Sequence, residues 1–172
     1  KKFYHLGPSR DQSIFETVLE NKTSLDSCDF ILCTGLFDKQ DEDLNYYKDL
    51  LKSFTSKKLI CTNPDLIVHR GNNEELCAGS VAKTFESLGG EVIYYGKPYK
   101  EIYEMCFELN EKVLAIGDNL RTDIKGANDL NIDSLFIYNG VHRNEIKNDK
   151  GLPALLKRYN VKTKYFQKEL KW

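Results

Sequence analysis

The stretch that decides the fold is Lys112 to Ala127, KVLAIGDNLRTDIKGA. Val113 to Ile116 is a short unbroken apolar run, the pattern of a strand buried on both faces of a parallel sheet. Gly117 and Asp118 end it. From Thr122 the apolar residues take helical spacing through Ile124, Ala127 and Leu130, so the segment reads as strand, turn and helix. A carboxylate then stands at the carboxyl end of the strand, where open α/β sheets place their ligands. Thr122 or Asn119 can cap the helix, and Asp123 falls in its first turn, where the macrodipole favours negative charge. Capping and the dipole explain Asp118 less well. A carboxylate leaving a buried strand calls for a cation, and oxygen ligands of this kind suit Mg²⁺, which keeps waters and takes one or two protein carboxylates.

Going outward, strand and helix alternate. Lys2 to Leu6 reads as a strand closed by Gly7-Pro8, and Ser9 with Gln12 has capping-box spacing for a helix presenting Ile14, Phe15, Val18 and Leu19. Asp29 to Cys33 is a second strand, followed by an acidic loop and a helix with Leu44, Tyr47, Leu51 and Phe54. Lys58 to Cys61 is a third, stopped by Thr62-Asn63-Pro64-Asp65, which is good turn chemistry in its own right. Residues 69–79 are polar and read as an exposed loop. A helical face of Val81, Phe85 and Leu88 ends at Gly89-Gly90, and Val92 to Tyr95 follows as a strand.

Gly96-Lys97-Pro98 opens a helix with an expected buried face of Ile102, Met105, Cys106 and Leu109. A cation at a helix amino end opposes the macrodipole by about 0.3 to 1 kcal/mol. The cost disappears if an anion such as phosphate sits there, between the backbone N–H groups and the ammonium. One helix and one strand separate Lys97 from Asp118. A right-handed crossover between adjacent strands would bring both loops to one edge of one sheet. Ser134 to Tyr138 reads as a further strand turned by Asn139-Gly140, and Pro153 to Tyr159 as a short helix before a lysine-rich, solvated tail.

Composition narrows the class. With 172 residues, 41% of them apolar, the chain can bury a real core, in one domain or two small ones. A net charge of −1 offers no long-range attraction for nucleic acid or an anionic membrane, and neither is expected as a partner. No apolar run has the length of a membrane span, and the first residues do not form a signal peptide, so a cytoplasmic location is expected. The five cysteines lack a CxxC pair and read as small buried hydrophobes of a reducing compartment. The three histidines are scattered, which supports neither a Cys/His nucleophile nor a zinc site.

Three stretches resemble the haloacid dehalogenase (HAD) superfamily, and within it the class IIA, NagD-like phosphatases. They are Gly96-Lys97-Pro98, the run from Gly117-Asp118-Asn119 through Thr122-Asp123-Ile124 to Gly126-Ala127, and Thr62-Asn63-Pro64-Asp65. Gly140-Val141-His142-Arg143 and the closing Leu170-Lys171-Trp172 add to the likeness. The resemblance implies a Rossmann-like α/β core with an inserted α/β cap, residues 1–93 being cap and 94–172 the second half of the core. It implies a Mg²⁺-dependent phosphatase acting on a small phosphomonoester. In this scheme Lys97 is the catalytic lysine that steadies phosphate charge, Asp118 and Asp123 are the metal-binding acids, and Asn119 and the Asn63, Pro64 and Asp65 loop face the substrate.

The same resemblance calls for an apolar strand ending in Asp-x-Asp-Gly, whose first aspartate is the nucleophile. No such strand is present: the only Asp-x-Asp is Asp41-Glu42-Asp43, in a polar run, and Cys33-Thr34-Gly35 imitates the next motif only in a position that suits the cap. A missing amino-terminal piece is therefore expected, leaving the Val113 to Ile116 strand with an open edge that a second copy or a separate amino-terminal fragment could cover. The alternative is a non-catalytic protein that binds a phosphorylated ligand or a partner through the retained half-site.

Overall fold

The computed structural model describes residues 1–40, 43–71, 73–108, 111–146 and 148–171, which form two compact units, Lys1–Tyr95 and Gly96–Trp172. In the first unit, apolar runs four residues long become parallel strands: β1 (Phe3–Leu6), β2 (Phe30–Cys33), then helix α1 (Leu44–Leu51), and β3 (Lys58–Cys61). A hairpin of β4 (Ile67–Arg70) and β5 (Asn73–Leu76) follows, then α2 (Ala78–Ser87) and β6 (Glu91–Tyr94). The sheet order is β1-β2-β3-β6, all parallel, with Cys33 opposite Cys61 and Cys61 opposite Tyr94. Tyr47 and Leu51 of α1 and Val81, Ala82 and Phe85 of α2 close one core with Leu6, Ile31, Cys33, Leu59 and Cys61 of the sheet. Asp43 caps α1, its Oδ1 accepting the Asn45 N–H at 2.9 Å, while Asp41 and Glu42 lie outside the described residues. Gly89 ends α2 with φ +87°, a conformation open to glycine at no steric cost.

Two expectations fail in this unit. The Ser9–Asn21 segment is 3₁₀ turns broken at Phe15 and Val18 rather than an amphipathic α-helix. The capping box does not form, because the Ser9 N–H and hydroxyl both donate to Asp38 Oδ2, at 3.1 and 2.7 Å. Only Phe15 of the expected face is buried, edge-on to Phe3, and Ile14, Val18 and Leu19 are exposed. Residues 69–79, expected as a loop, contain most of the β4–β5 hairpin, in register from Ile67 opposite Leu76 to Arg70 opposite Asn73. Its Arg70–Glu75 pair at 2.9 Å shows why a polar sequence is compatible with a two-stranded ribbon facing water.

The second unit holds α3 (Lys100–Glu104), β7 (Leu114–Gly117), a π-turn over Leu120–Ile124 running into α4 (Lys125–Asp129), β8 (Asp133–Ile137), α5 (Leu152–Tyr159) and β9 (Tyr165–Gln167). Its sheet is β7-β8-β9, again parallel, so the lysine-rich end is not merely a solvated tail but contributes a strand. Leu120, Ile124, Phe136, Ile146, Leu152, Leu155 and Val161 form its core.

Three further expectations are corrected here. β7 is not buried on both faces: Leu114 and Ile116 are 46% and 41% exposed, and β7 ends its sheet among the described residues. The helix after Gly96-Lys97-Pro98 shortens to α3, which buries Tyr103 and leaves Met105 83% exposed, with Cys106 exposed as well; Leu109 lies outside the described residues, as does Trp172. Most consequentially, β6 pairs with β3, and among the described residues no pairing joins it to β7. Lys97 and Asp118 are therefore not delivered by consecutive loops of one sheet.

Candidate active site

The site grows from the end of β7. Gly117 leaves the strand without a side chain because Asp123 packs there; a Cβ on Gly117 would collide with the Asp123 carboxylate. The chain then turns back so that Asp123 Oδ2 accepts the N–H groups of Asp118 and Asn119, at 3.1 and 3.0 Å. Asn119 caps the turn, its Oδ1 accepting the Arg121 N–H at 2.9 Å, and the Ile124 N–H reaches Asn119 O at 3.2 Å, the wider π spacing. Of the two capping residues open to the sequence, Asn119 is the one that caps.

Lys97 reaches the same carboxylate from a different segment, with Nζ 2.5 Å from Asp123 Oδ1. The lysine side chain is half exposed and the aspartate nearly buried, at 49% and 9%. Asp118 faces the turn after β8: its Oδ2 accepts the Val141 N–H at 2.9 Å, and Gly140 lies so close that a Cβ there would run into the carboxylate. One carboxylate, that of Asp123, thus links the ammonium of Lys97 to the backbone carrying Asp118.

The two acids expected at a metal are not equivalent. Both oxygens of Asp123 are engaged, one by Lys97 and one by two amides. Among the described residues Asp118 is bonded through Oδ2, by Val141, so Oδ1 is the oxygen that suits a hard cation. No group of three or more His, Cys, Asp and Glu side chains fit for a metal occurs among the described residues. The donor set fits Mg²⁺, which keeps most of its waters, better than a metal that demands a full cage of side chains.

Asn63, Pro64 and Asp65 stand in the first unit, at the carboxyl end of β3. Asn63 Oδ1 accepts the Asp65 N–H at 3.1 Å, and Gly79 packs against the carbonyls of Pro64 and Asp65 with its own N–H donating to Asp65 O at 3.1 Å. Asn63 and Asp65 line a cleft of about 430 Å³ with Arg10, Thr34, Arg70 and Glu75. Thr34, in the imitation of a second motif, shares a 2.9 Å hydrogen bond with His5 inside this unit. Burial pushes the Cys61 and Cys77 thiols up to about 11, so both stay protonated and non-nucleophilic at neutral pH.

The residues missed by sequence reading are those gripping the Asp118 loop from the turn after β8. The available signal was positional: Gly140-Val141-His142 follows the strand adjacent to β7, at the same edge of the sheet.

A lysine and a carboxylate-bearing turn are thus joined at the carboxyl end of a parallel strand in an α/β chain. Residues 94–160 match the HAD-hydrolase-like family model. Among solved structures, a haloacid dehalogenase-like hydrolase from Brucella suis 1330 shares 34% identity at a TM-score of 0.76, over 82% of this chain and 59% of that one. A p-nitrophenyl phosphatase from Archaeoglobus fulgidus shares 16% identity at 0.67, over 96% and 63%, and a 4-nitrophenylphosphatase from Thermotoga maritima shares 22% at 0.66, over 98% and 62%. The last two show the fold alone. No curated protein matches. The chain spans about three-fifths of the length of these structures. Over residues 94–160 it is of the HAD-hydrolase-like type, and as a whole it shares the fold of these structures.

Proposed function

We propose that the chain carries the lysine-and-carboxylate part of a class IIA, NagD-like phosphatase site that acts with Mg²⁺ on a small phosphomonoester. The observation that supports this reading is the linkage of Lys97 and the Asp118 turn through Asp123. Asp118 would hold the metal through Oδ1, with Asp123 in its outer shell. When bound, Mg²⁺ would neutralise charge on the phosphoryl oxygens. Lys97 then has two roles: half exposed, its ammonium offers donors to an incoming phosphate, while Asp123 holds it in place. Asn119, fixed by its cap, borders the same turn and belongs with the groups facing substrate.

The first unit is read as the cap, with the Asn63, Pro64 and Asp65 loop as its substrate-selecting part; the cleft that Asn63 and Asp65 line, at about 430 Å³, suits a small molecule. The phosphoryl-accepting aspartate is not among these 172 residues, since no Asp-x-Asp-Gly follows an apolar strand. The chain by itself should bind without turning over.

Calorimetry with Mg²⁺, then with inorganic phosphate in its presence, tests both statements. Binding of both is expected, lost for Mg²⁺ in Asp118→Asn and weakened for phosphate in Lys97→Ala, with no release of nitrophenol from p-nitrophenyl phosphate. Magnesium-dependent turnover by residues 1–172 would refute the absence of the nucleophile, and indifference to both ligands would refute the site.

A further inference from the structure

His142 is fully buried, and the mechanism above does not use it. Its Nε2 lies 3.1 Å from the backbone nitrogen of Leu120. An amide can only donate, so Nε2 must accept and carry no proton. The neutral ring then bears its hydrogen on Nδ1, which points at Glu145 Oε1, 2.6 Å away. Glu145 is itself held: Arg158 Nη1 donates to Oε2 at 3.0 Å, and the Tyr159 hydroxyl sits 2.8 and 2.9 Å from its two oxygens. The Tyr159 ring stands edge-on to the imidazole at 4.7 Å, and the Arg121 guanidinium lies over the Tyr159 ring, 4.8 Å from its centre.

The target of this chain of bonds is informative. Each amide from Asp118 to Arg121 is received by a side chain: Asp123 takes Asp118 and Asn119, His142 takes Leu120, and Asn119 takes Arg121. The turn that carries Asp118 is therefore pinned at every N–H, and one of the four pins is borrowed from the neighbouring strand's exit. A buried residue that merely filled space would need no acceptor aimed at this loop. The same exit also holds the Asp118 side chain, through the Val141 N–H.

We infer that His142 is the positioning residue for Asp118: as a neutral, Nδ1-protonated imidazole oriented by Glu145, it fixes the backbone from which the metal-facing carboxylate projects. The metal part of this inference rests on the reading of Asp118 given above. An orienting group one shell out from a metal ligand changes metal affinity by about 10- to 100-fold when removed.

The test has two arms on the whole chain. Nitrogen-15 NMR of the imidazole should show the neutral Nδ1–H tautomer, and the Leu120 amide should be protected from hydrogen exchange. A proton on Nε2, or a Leu120 amide as labile in wild type as in His142→Phe, would overturn the inference whatever the protein does with metal. In calorimetry, His142→Phe, which has no acceptor, should bind Mg²⁺ about 10- to 100-fold more weakly, whereas His142→Gln, whose amide oxygen can receive the Leu120 N–H, should recover most of the affinity. Equal weakening in both variants, or none in either, would also overturn it. Should wild type bind no Mg²⁺ at all, the assignment of Asp118 fails, and the NMR arm alone decides the role of His142.

Discussion

Lys97 Nζ and Asp123 Oδ1 lie 2.5 Å apart, and the other oxygen of that carboxylate holds the amides of Asp118 and Asn119. The two halves of this arrangement differ in burial, so their removal should have different consequences. The lysine end of the pair is half exposed and screened by water, which discounts it towards the worth of a surface pair, about 1 kcal/mol or less, although the aspartate is nearly buried. Lys97→Met should therefore lower stability by less than about 1 kcal/mol in urea unfolding while phosphate binding weakens. Asp123→Ala orphans two amides and should cost about 2–3 kcal/mol. Equal losses from the two variants would contradict the division of labour.

Gly117 and Gly140 each face a carboxylate of the site, Asp123 and Asp118 respectively, with no room for a Cβ. Gly117→Ala pushes into a nearly buried group and should destabilise the second unit by about 1–3 kcal/mol. Gly140→Ala meets the half-buried Asp118, which can swing away from the Val141 N–H. Its main effect should be on Mg²⁺ affinity, tenfold or more by the magnitude typical of groups that orient a ligand. Calorimetry and thermal melting on the same samples separate the two effects.

The Tyr103 hydroxyl is buried against Gly126 without a hydrogen-bond partner among the described residues, and burial, with the charges of Asp123 and Asp129, pushes its pKa up to about 12. An unpaired buried polar atom costs about 1–3 kcal/mol. Tyr103→Phe should leave stability unchanged or raise it by about 1 kcal/mol, read as the urea midpoint; a clear loss would reveal a partner for the hydroxyl.

Burial holds His142 below the ordinary imidazole range, against the pull of Glu145. The unfolded chain takes up its proton near pH 6.5 while the folded chain does not, so this contribution to stability is present above that pH and lost as pH falls. His5, buried and near Lys22, adds to the trend in the first unit. For Glu145, burial pushes up, but the hydrogen bonds from His142 and Tyr159 together with the charges nearby, Arg121 among them, hold it below the usual carboxylate range, which extends the loss to lower pH. Stability measured from pH 8 to pH 5 should decline by up to about 1.4 kcal/mol per pH unit for each buried histidine. His142→Gln should flatten the slope of the second unit's transition; an unchanged slope would show that the ring is already charged in the fold.

The apolar runs and their punctuation made the alternation of strand and helix legible: β3 spans Lys58–Cys61 as read, and Gly89 stops α2. The two segments that meet at Asp123 were legible too, as an aspartate just past an apolar strand and a lysine beside Gly and Pro. Spacing misled where local pattern competes with tertiary bonds. Ser9 and Gln12 have the form of a capping box, yet the serine is taken by Asp38 from another loop. The polar run 69–79 hid a hairpin, since two strands facing water need no apolar alternation.

What the sequence determined by itself is the inventory: which turns carry carboxylate and ammonium, and that both follow strands. Which strands pair is a long-range choice, made by packing among segments far apart in the chain, and it placed β6 beside β3 rather than β7. The meeting of Lys97 with the Asp118 turn therefore depends on one bridging side chain, Asp123, and the rigidity of that turn on His142 from another strand's exit. Neither bond leaves a periodic mark in the sequence, because each joins single residues whose separation is set by the folded chain alone.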